Sequence, residues 1–226
     1  MEPATLYIVP TPIGNLEDIT LRALKVLKEV DTILCEDTRT SSYLLKHYEI
    51  TRPLQAYHQH NEHKVTQQLV ERLSAGEKMA MISDAGTPGI SDAAFLLIRA
   101  CHVAGVKVVC LPGATALIPA LVATGFPTDR FTFEGFLPHK KGRQTRIKAI
   151  SQSDCSVVMY ESPHRLVKLI DEFIEFAGPE RIAAVSRELT KHFEENKRGP
   201  LTELKAYYEK HPPKGEIVFI LMGEKH

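Results

Sequence analysis

Short apolar runs rich in β-branched residues alternate along this chain with longer stretches in which apolar positions recur every three or four residues. Thr5–Val9, Thr32–Cys35, Met79–Ile82 and Val106–Leu111 predict strands, and helices are expected near 18–30, 40–48, 62–75, 91–104 and 114–124. Leu24, Leu27 and Val30 make one helical stripe, and Leu69 with Leu73 makes another. Asp18 is placed to cap the first helix and Ser91 the fourth, while Asn61 suits either a cap or the wall of a substrate groove. Strand and helix in alternation predict an α/β fold with a mostly parallel, Rossmann-like sheet covered by helices on both faces.

The periodicity stops at 124–129, where Gly125 and Pro127 mark a turn or linker. Two domains are therefore expected, 1–124 and 125–226. The second has strand-like runs at 131–133, 156–160, 182–186 and 216–222 and helical segments near 143–152, 163–176 and 201–210, which predicts a mixed sheet with helices.

With 43% hydrophobic and 25% charged residues the chain has ordinary globular composition. No apolar run approaches the roughly 20 residues of a membrane-spanning helix, and the N-terminal stretch has neither a basic region nor a cleavable apolar segment. The expectation is a soluble, cytoplasmic protein that uses no membrane. Cys35, Cys101, Cys110 and Cys155 lie in or beside apolar segments without a Cys-x-x-Cys pair, so they are expected as reduced, buried thiols.

Lysine plus arginine balances aspartate plus glutamate at 28 each, which removes any argument for a uniformly basic nucleic-acid binder. A local surface remains at 139–148, where Lys140, Lys141, Arg143, Arg146 and Lys148 occur without an acidic residue. The same spacing also suits a solvated loop and a first helical turn.

Candidate chemistry gathers where predicted strands end. Ser83–Asp92 follows a strand and opens toward a helix, at the edge where open parallel sheets bind ligands. Gly86 and Gly89 allow close backbone approach there, and Asp84 lies in the same turn, although such residues also suit a turn that only reverses the chain. Leu111–Ala116 and Val9–Asn15 are two more small-residue turns. None matches a dinucleotide or nucleoside-triphosphate glycine motif. Asp37, after the second strand, is a candidate base or a helix cap, and Arg39 beside it suits a phosphate or carboxylate grip. Glu161 with Arg165, and Arg187 with Glu188, follow strands of the second domain and have the same two possible uses. His58, His60 and His63 lack metal-site spacing, so no metal is expected. Tyr57, Phe133 and Phe136 are candidates for stacking on a base, and each also suits a core position.

Taken in order, nine segments resemble the bacterial 16S ribosomal RNA (cytidine-2'-O)-methyltransferases of the tetrapyrrole methylase superfamily: LYIVPTPIGNLEDIT, CEDTRTS, HNE, SDAGTPGISD, LPGATA, DRFTFEGFLP, YESPHR, RELTK and KGEIV. The resemblance runs from Leu6 to Gly223. It implies two α/β domains with S-adenosyl-L-methionine in a cleft between them, a homodimer, and 16S rRNA in the small ribosomal subunit as partner. Cofactor contacts carried over by position fall on Pro10, Thr11, Thr87, Ile90, Thr115, Ala116, Met159, Tyr160, Glu188, Leu189, Gly215, Glu216 and Ile217. Members often continue some tens of residues beyond the Lys-Gly-Glu strand, so RNA recognition is expected to fall on 139–148, on partner proteins or on the assembled particle. The expected reaction is methylation of a ribose 2'-hydroxyl, with Asp37, Glu161 or Glu188 as base and Arg39, Arg165 and Arg187 as grips. A small-molecule methylase of the same superfamily and a non-catalytic RNA-binding module are the rival readings; substrate choice separates the first and cofactor binding the second.

Overall fold

A computed structural model describes residues 5–225. The chain divides into two compact units between Thr115 and Ala116. In the first, β1 (Thr5–Ile8), β2 (Thr32–Cys35), β3 (Leu54–Ala56), β4 (Met79–Met81) and β5 (Lys107–Cys110) form a sheet in the order β3-β2-β4-β1-β5, and every pairing is parallel. Side chains alternate along each strand. Leu6, Ile8, Leu34, Met79 and Met81 pack with Leu69, Leu73 and Leu97 of α3 (Glu62–Ser74) and α4 (Phe95–Val103). Ile33, Cys35, Ala80 and Ile82 pack on the other face with Ala23, Leu27 and Leu45 of α1 (Leu21–Glu29) and α2 (Thr38–His47). Helices thus cover both faces, as right-handed crossovers between parallel strands require.

The second unit opens with α5 (Leu117–Thr124) and holds a mixed sheet of β6 (Phe131–Phe136), β7 (Ser156–Glu161), β8 (Ile182–Arg187), β9 (Glu195–Pro200) and β10 (Ile217–Leu221), in the order β6-β7-β10-β8-β9. β6 runs parallel to β7, while β10 is antiparallel to both β7 and β8. The carboxyl ends of β6, β7 and β8 therefore share one sheet edge with the start of β10. Val157, Met159, Val185 and Phe219 meet α6 (Arg143–Ser151), α7 (Leu166–Ala177) and α8 (Leu201–Lys210), with Phe173 stacked on Phe219 at 5.5 Å between centroids.

Several expectations are corrected. The helix at 117–124 packs on β7, β8, β9 and β10, so the units divide at 115/116 and not at 124/125. α1 is capped by Thr20, whose hydroxyl accepts from Ala23 N at 3.0 Å, while Asp18 lies in a preceding 3-10 turn. Ser91 takes a left-handed φ of 70° and α4 begins four residues later, without a side-chain cap. Cys110 is exposed on the edge strand β5, unlike the other three thiols. β3 and β9 escape the pattern: β3 has only three residues, and β9 is an edge strand whose positions carry Glu195, Asn196, Lys197 and Arg198.

Candidate functional site

Three turns leave the first sheet at its carboxyl edge after β1, β4 and β5, and hydrogen bonds stitch them together. Thr11 and Gly86 exchange backbone bonds of 2.9 Å in both directions. The Thr11 hydroxyl donates to Ser83 O at 3.0 Å and the Ser83 hydroxyl to Gly86 O at 3.0 Å. The Thr87 hydroxyl donates to Ala114 O at 2.9 Å, which ties the second turn to the third. Pro10 closes the arrangement, since a Cβ on Gly113 would come within 2.6 Å of its ring. Gly86 and Gly89 have φ of 84° and 92°, the left-handed region that a side chain disfavours. The sequence therefore brings Pro10, Thr11, Asp84, Gly86, Thr87 and Ile90 to one edge. The hydroxyls of Thr11 and Thr87 are spent on backbone carbonyls, which leaves main-chain groups, the Asp84 carboxylate and Ile90, 38% exposed, to meet a ligand.

The connection from β2 leads outward to β3 and that from β4 leads the other way to β5, so the chain diverges where β2 and β4 end, the usual ligand position in open α/β sheets. Glu36 follows β2, and Asp84 follows β4. Burial, aided by the nearby charges of Asp92 and Asp84, pushes the Glu36 carboxyl up to about 7. Asp84 and Asp92 are themselves raised by burial. Asp37 goes the opposite way: hydrogen bonds from the Arg39 side chain and backbone hold it down at about 2. It caps α2 and pairs with Arg39 Nη2 at 2.8 Å. Glu36 is the carboxylate that sequence reasoning passed over. Its position after a buried strand was visible, but not which of two adjacent acids finds a cation.

Asn61 sits before α3 and makes no cap bond. Its side chain accepts from His58 N and donates to Ala56 O, both at 2.9 Å, and so braces the turn after β3. Tyr57 is fully buried and cannot stack on a ligand.

In the second unit Tyr160, Glu188, Gly215, Glu216 and Ile217 meet at one sheet edge, with Ile217 in register with both Glu161 and Arg187. The Glu188 carboxylate accepts from Glu216 N and from Lys191 Nζ, each at 2.9 Å, and the Lys191 bond, the largest influence, holds its pKa below the ordinary value. Glu188 itself has φ 51°. Gly215 is required twice over: its φ is 84°, and a Cβ there would fall 2.2 Å from the Glu188 carboxyl carbon. Met159, Leu189 and Ile217 are buried, so only their backbone can face a ligand.

Glu161 and Arg143 are corrected from free functional groups to an interior ion pair. Glu161 is 2% exposed and Arg143 5% exposed. Glu161 holds Arg165 at 2.6 Å and lies 3.6 Å from Arg143, which forks onto Glu172 at 2.6 Å. A carboxylate so buried is shut off from substrate, and a buried guanidinium cannot reach phosphate. Arg187 is partly covered, between Lys214 O at 3.3 Å and Glu195 at 3.7 Å. Arg39 is exposed, Arg146 is exposed but paired with Glu134 at 2.5 Å, and Lys140 and Lys141 are exposed.

This pair of sheets and their stitched turns define the class. A family model described as Tetrapyrrole (Corrin/Porphyrin) Methylases matches residues 5–205. The fold is similar to that of cobalt precorrin-4 methyltransferase, with a TM-score of 0.72 at 18% identity over 97% of this chain and 95% of that one. Among sequences, the chain is 48% identical to ribosomal RNA small subunit methyltransferase I of Synechocystis, over 96% of this chain and 78% of the relative. It is 47% identical to the protein of that name in Escherichia coli O157:H7, over 97% and 78%. The chain belongs to the ribosomal RNA small subunit methyltransferase I family of tetrapyrrole methylases. No helix among the described residues is long and apolar enough to cross a membrane.

Proposed function

We propose that this protein transfers a methyl group from S-adenosyl-L-methionine to the ribose 2'-hydroxyl of a cytidine in 16S rRNA, acting as a homodimer on the small ribosomal subunit. The observation that carries the reading is identity of 47–48% across nearly the whole chain to relatives named ribosomal RNA small subunit methyltransferase I. The residues present fit such a cofactor. Glu36, Asp84 and Asp92 gather negative charge with raised proton affinity, which a sulfonium or ammonium cation would relieve. The turns at Pro10–Thr11 and Gly86–Ile90 offer backbone groups for its polar parts, and the resemblance also assigns contacts to Tyr160, Glu188 and Gly215–Ile217.

When bound, the cofactor supplies an electrophilic methyl on sulfur. The protein's own task is to hold the ribose oxygen in line with that methyl, which is worth roughly 7–11 kcal/mol of barrier, and to accept the hydroxyl proton as the carbon–oxygen bond forms. We assign the proton to Glu36. Asp37 and Glu188 are held below their ordinary pKa by Arg39 and Lys191, and Glu161 is enclosed by arginines, whereas a carboxyl near 7 is matched to proton transfer at neutral pH.

The test is transfer of labelled methyl from S-adenosyl-L-methionine to small subunits from a strain lacking this gene, with bare 16S RNA and a tetrapyrrole mixture alongside. Label in one alkali-resistant cytidine is expected. Label confined to the tetrapyrroles, or cofactor binding with no transfer to RNA, would overturn the reading.

A further inference from the structure

The segment that leaves β6 divides its side chains between two jobs. Phe136 ends the strand 55% exposed and tilts against Tyr160 with centroids 5.6 Å apart; Phe133 braces Tyr160 edge-on at 5.0 Å. After the buried Leu137, the chain runs through exposed His139, Lys140 and Lys141 to Gly142, in the left-handed region at φ 82°. There α6 begins and Arg143 turns inward.

Arg143 Nε donates to both Glu172 oxygens, at 2.9 and 3.1 Å, and Nη2 donates at 2.6 Å. Its Nη1 reaches back to the Pro138 carbonyl at 3.2 Å, closing the loop on itself. Glu161, 3.6 Å from Arg143, holds Arg165, and Arg165 Nη1 lies 2.9 Å from the His139 ring. The loop is thus pinned at His139 and at Arg143. Two guanidinium groups and two carboxylates cancel in the interior, so the charge shown to solvent comes from Lys140 and Lys141. No acidic residue occurs between Phe136 and Lys148.

We propose that Phe136–Lys141 is an RNA-docking surface: Phe136 stacks on an unpaired base, Lys140 and Lys141 take adjacent phosphates, and Arg143 with Glu172 only positions the loop. An exposed aromatic next to unpaired cations is what a single strand requires, because any base offers a π face and each neutralised phosphate releases counterions. The inference rests on the RNA reading above.

The experiment is equilibrium binding to small subunits that lack the modification, over a range of salt, with cofactor binding measured by calorimetry on every variant. Lys140→Ala and Lys141→Ala should each weaken binding and flatten the slope of log affinity against log salt by about 0.7–0.9. Phe136→Ala should weaken binding about tenfold with the slope unchanged, and Phe136→Tyr should restore it. Arg143→Gln should weaken binding without flattening the slope, since a buried cation releases no counterion. Glu172→Gln, nearly isosteric, separates the alternatives if Arg143→Gln does not fold. Freeing Arg143 from its carboxylate would tighten binding if Arg143 touched RNA, and should weaken it if the pair is a strut. Tighter binding by Glu172→Gln, a flattened slope for Arg143→Gln, or unaltered binding by Phe136→Ala would overturn the proposal. A wild-type protein that binds S-adenosyl-L-methionine but no subunits would overturn the RNA reading itself.

Discussion

Glu36 and Asp37 are neighbours in the chain with opposite acid–base behaviour. Asp37 meets a guanidinium within two residues, while Glu36 is half-buried beside Asp84 and Asp92, which come from elsewhere in the chain. Glu36→Gln should lower the rate of methyl transfer at saturating cofactor about 10²- to 10⁴-fold and abolish the rising limb of the pH–rate profile near 7. An unchanged rate would remove Glu36 as the base. The same substitution reports on stability. A carboxyl raised in the folded state contributes stability that is complete below its unfolded value near 4.5 and is lost as pH rises through about 7. Glu36→Gln should therefore stabilise the protein at pH 8 by about 1 kcal/mol, after allowance for partial exposure, and change little at pH 4; denaturant melts at the two pH values decide it. Gly215→Ala should cost about 1–3 kcal/mol in such melts and weaken cofactor binding, because the methyl displaces the Glu188 carboxylate that orders the turn.

At the scale of elements, the periodic pattern located each long helix because burial of one face decides it, whereas helix starts depend on single hydrogen bonds. Thr20→Ala should cost about 1 kcal/mol of stability and Asp18→Ala less than about 0.5 kcal/mol, the reverse of what spacing suggests. Urea titrations of the two variants check the order. The strands that escaped the pattern, β3 and β9, are held by backbone pairing to β2 and β8, which leaves little mark on their own composition. By sequence the GTPG segment suits a ligand-binding turn or a simple reversal of the chain. What those residues do locally, binding the turns after β1 and β5, becomes visible only when strands 70 or more residues apart lie side by side.

For the whole molecule, S-adenosyl-L-methionine at 100 times its dissociation constant should add about 2.7 kcal/mol and raise the melting temperature by about 5–10 °C, measured by calorimetry; no rise would sink the cofactor assignment. The sequence by itself determined the α/β class, the alternation of elements, the family and the edge where chemistry gathers, because burial periodicity and ordered local motifs are written in consecutive residues. Tertiary structure alone decided that the units divide before α5, which is apolar enough to suit either unit and packs on the second sheet. It alone decided which charges are free. Arg143 and Lys141 are basic residues two positions apart, yet one lies 2.6 Å from a buried glutamate of α7 and the other faces solvent. Charge is a property of the residue, but its availability depends on partners and burial that the fold supplies from distant parts of the chain.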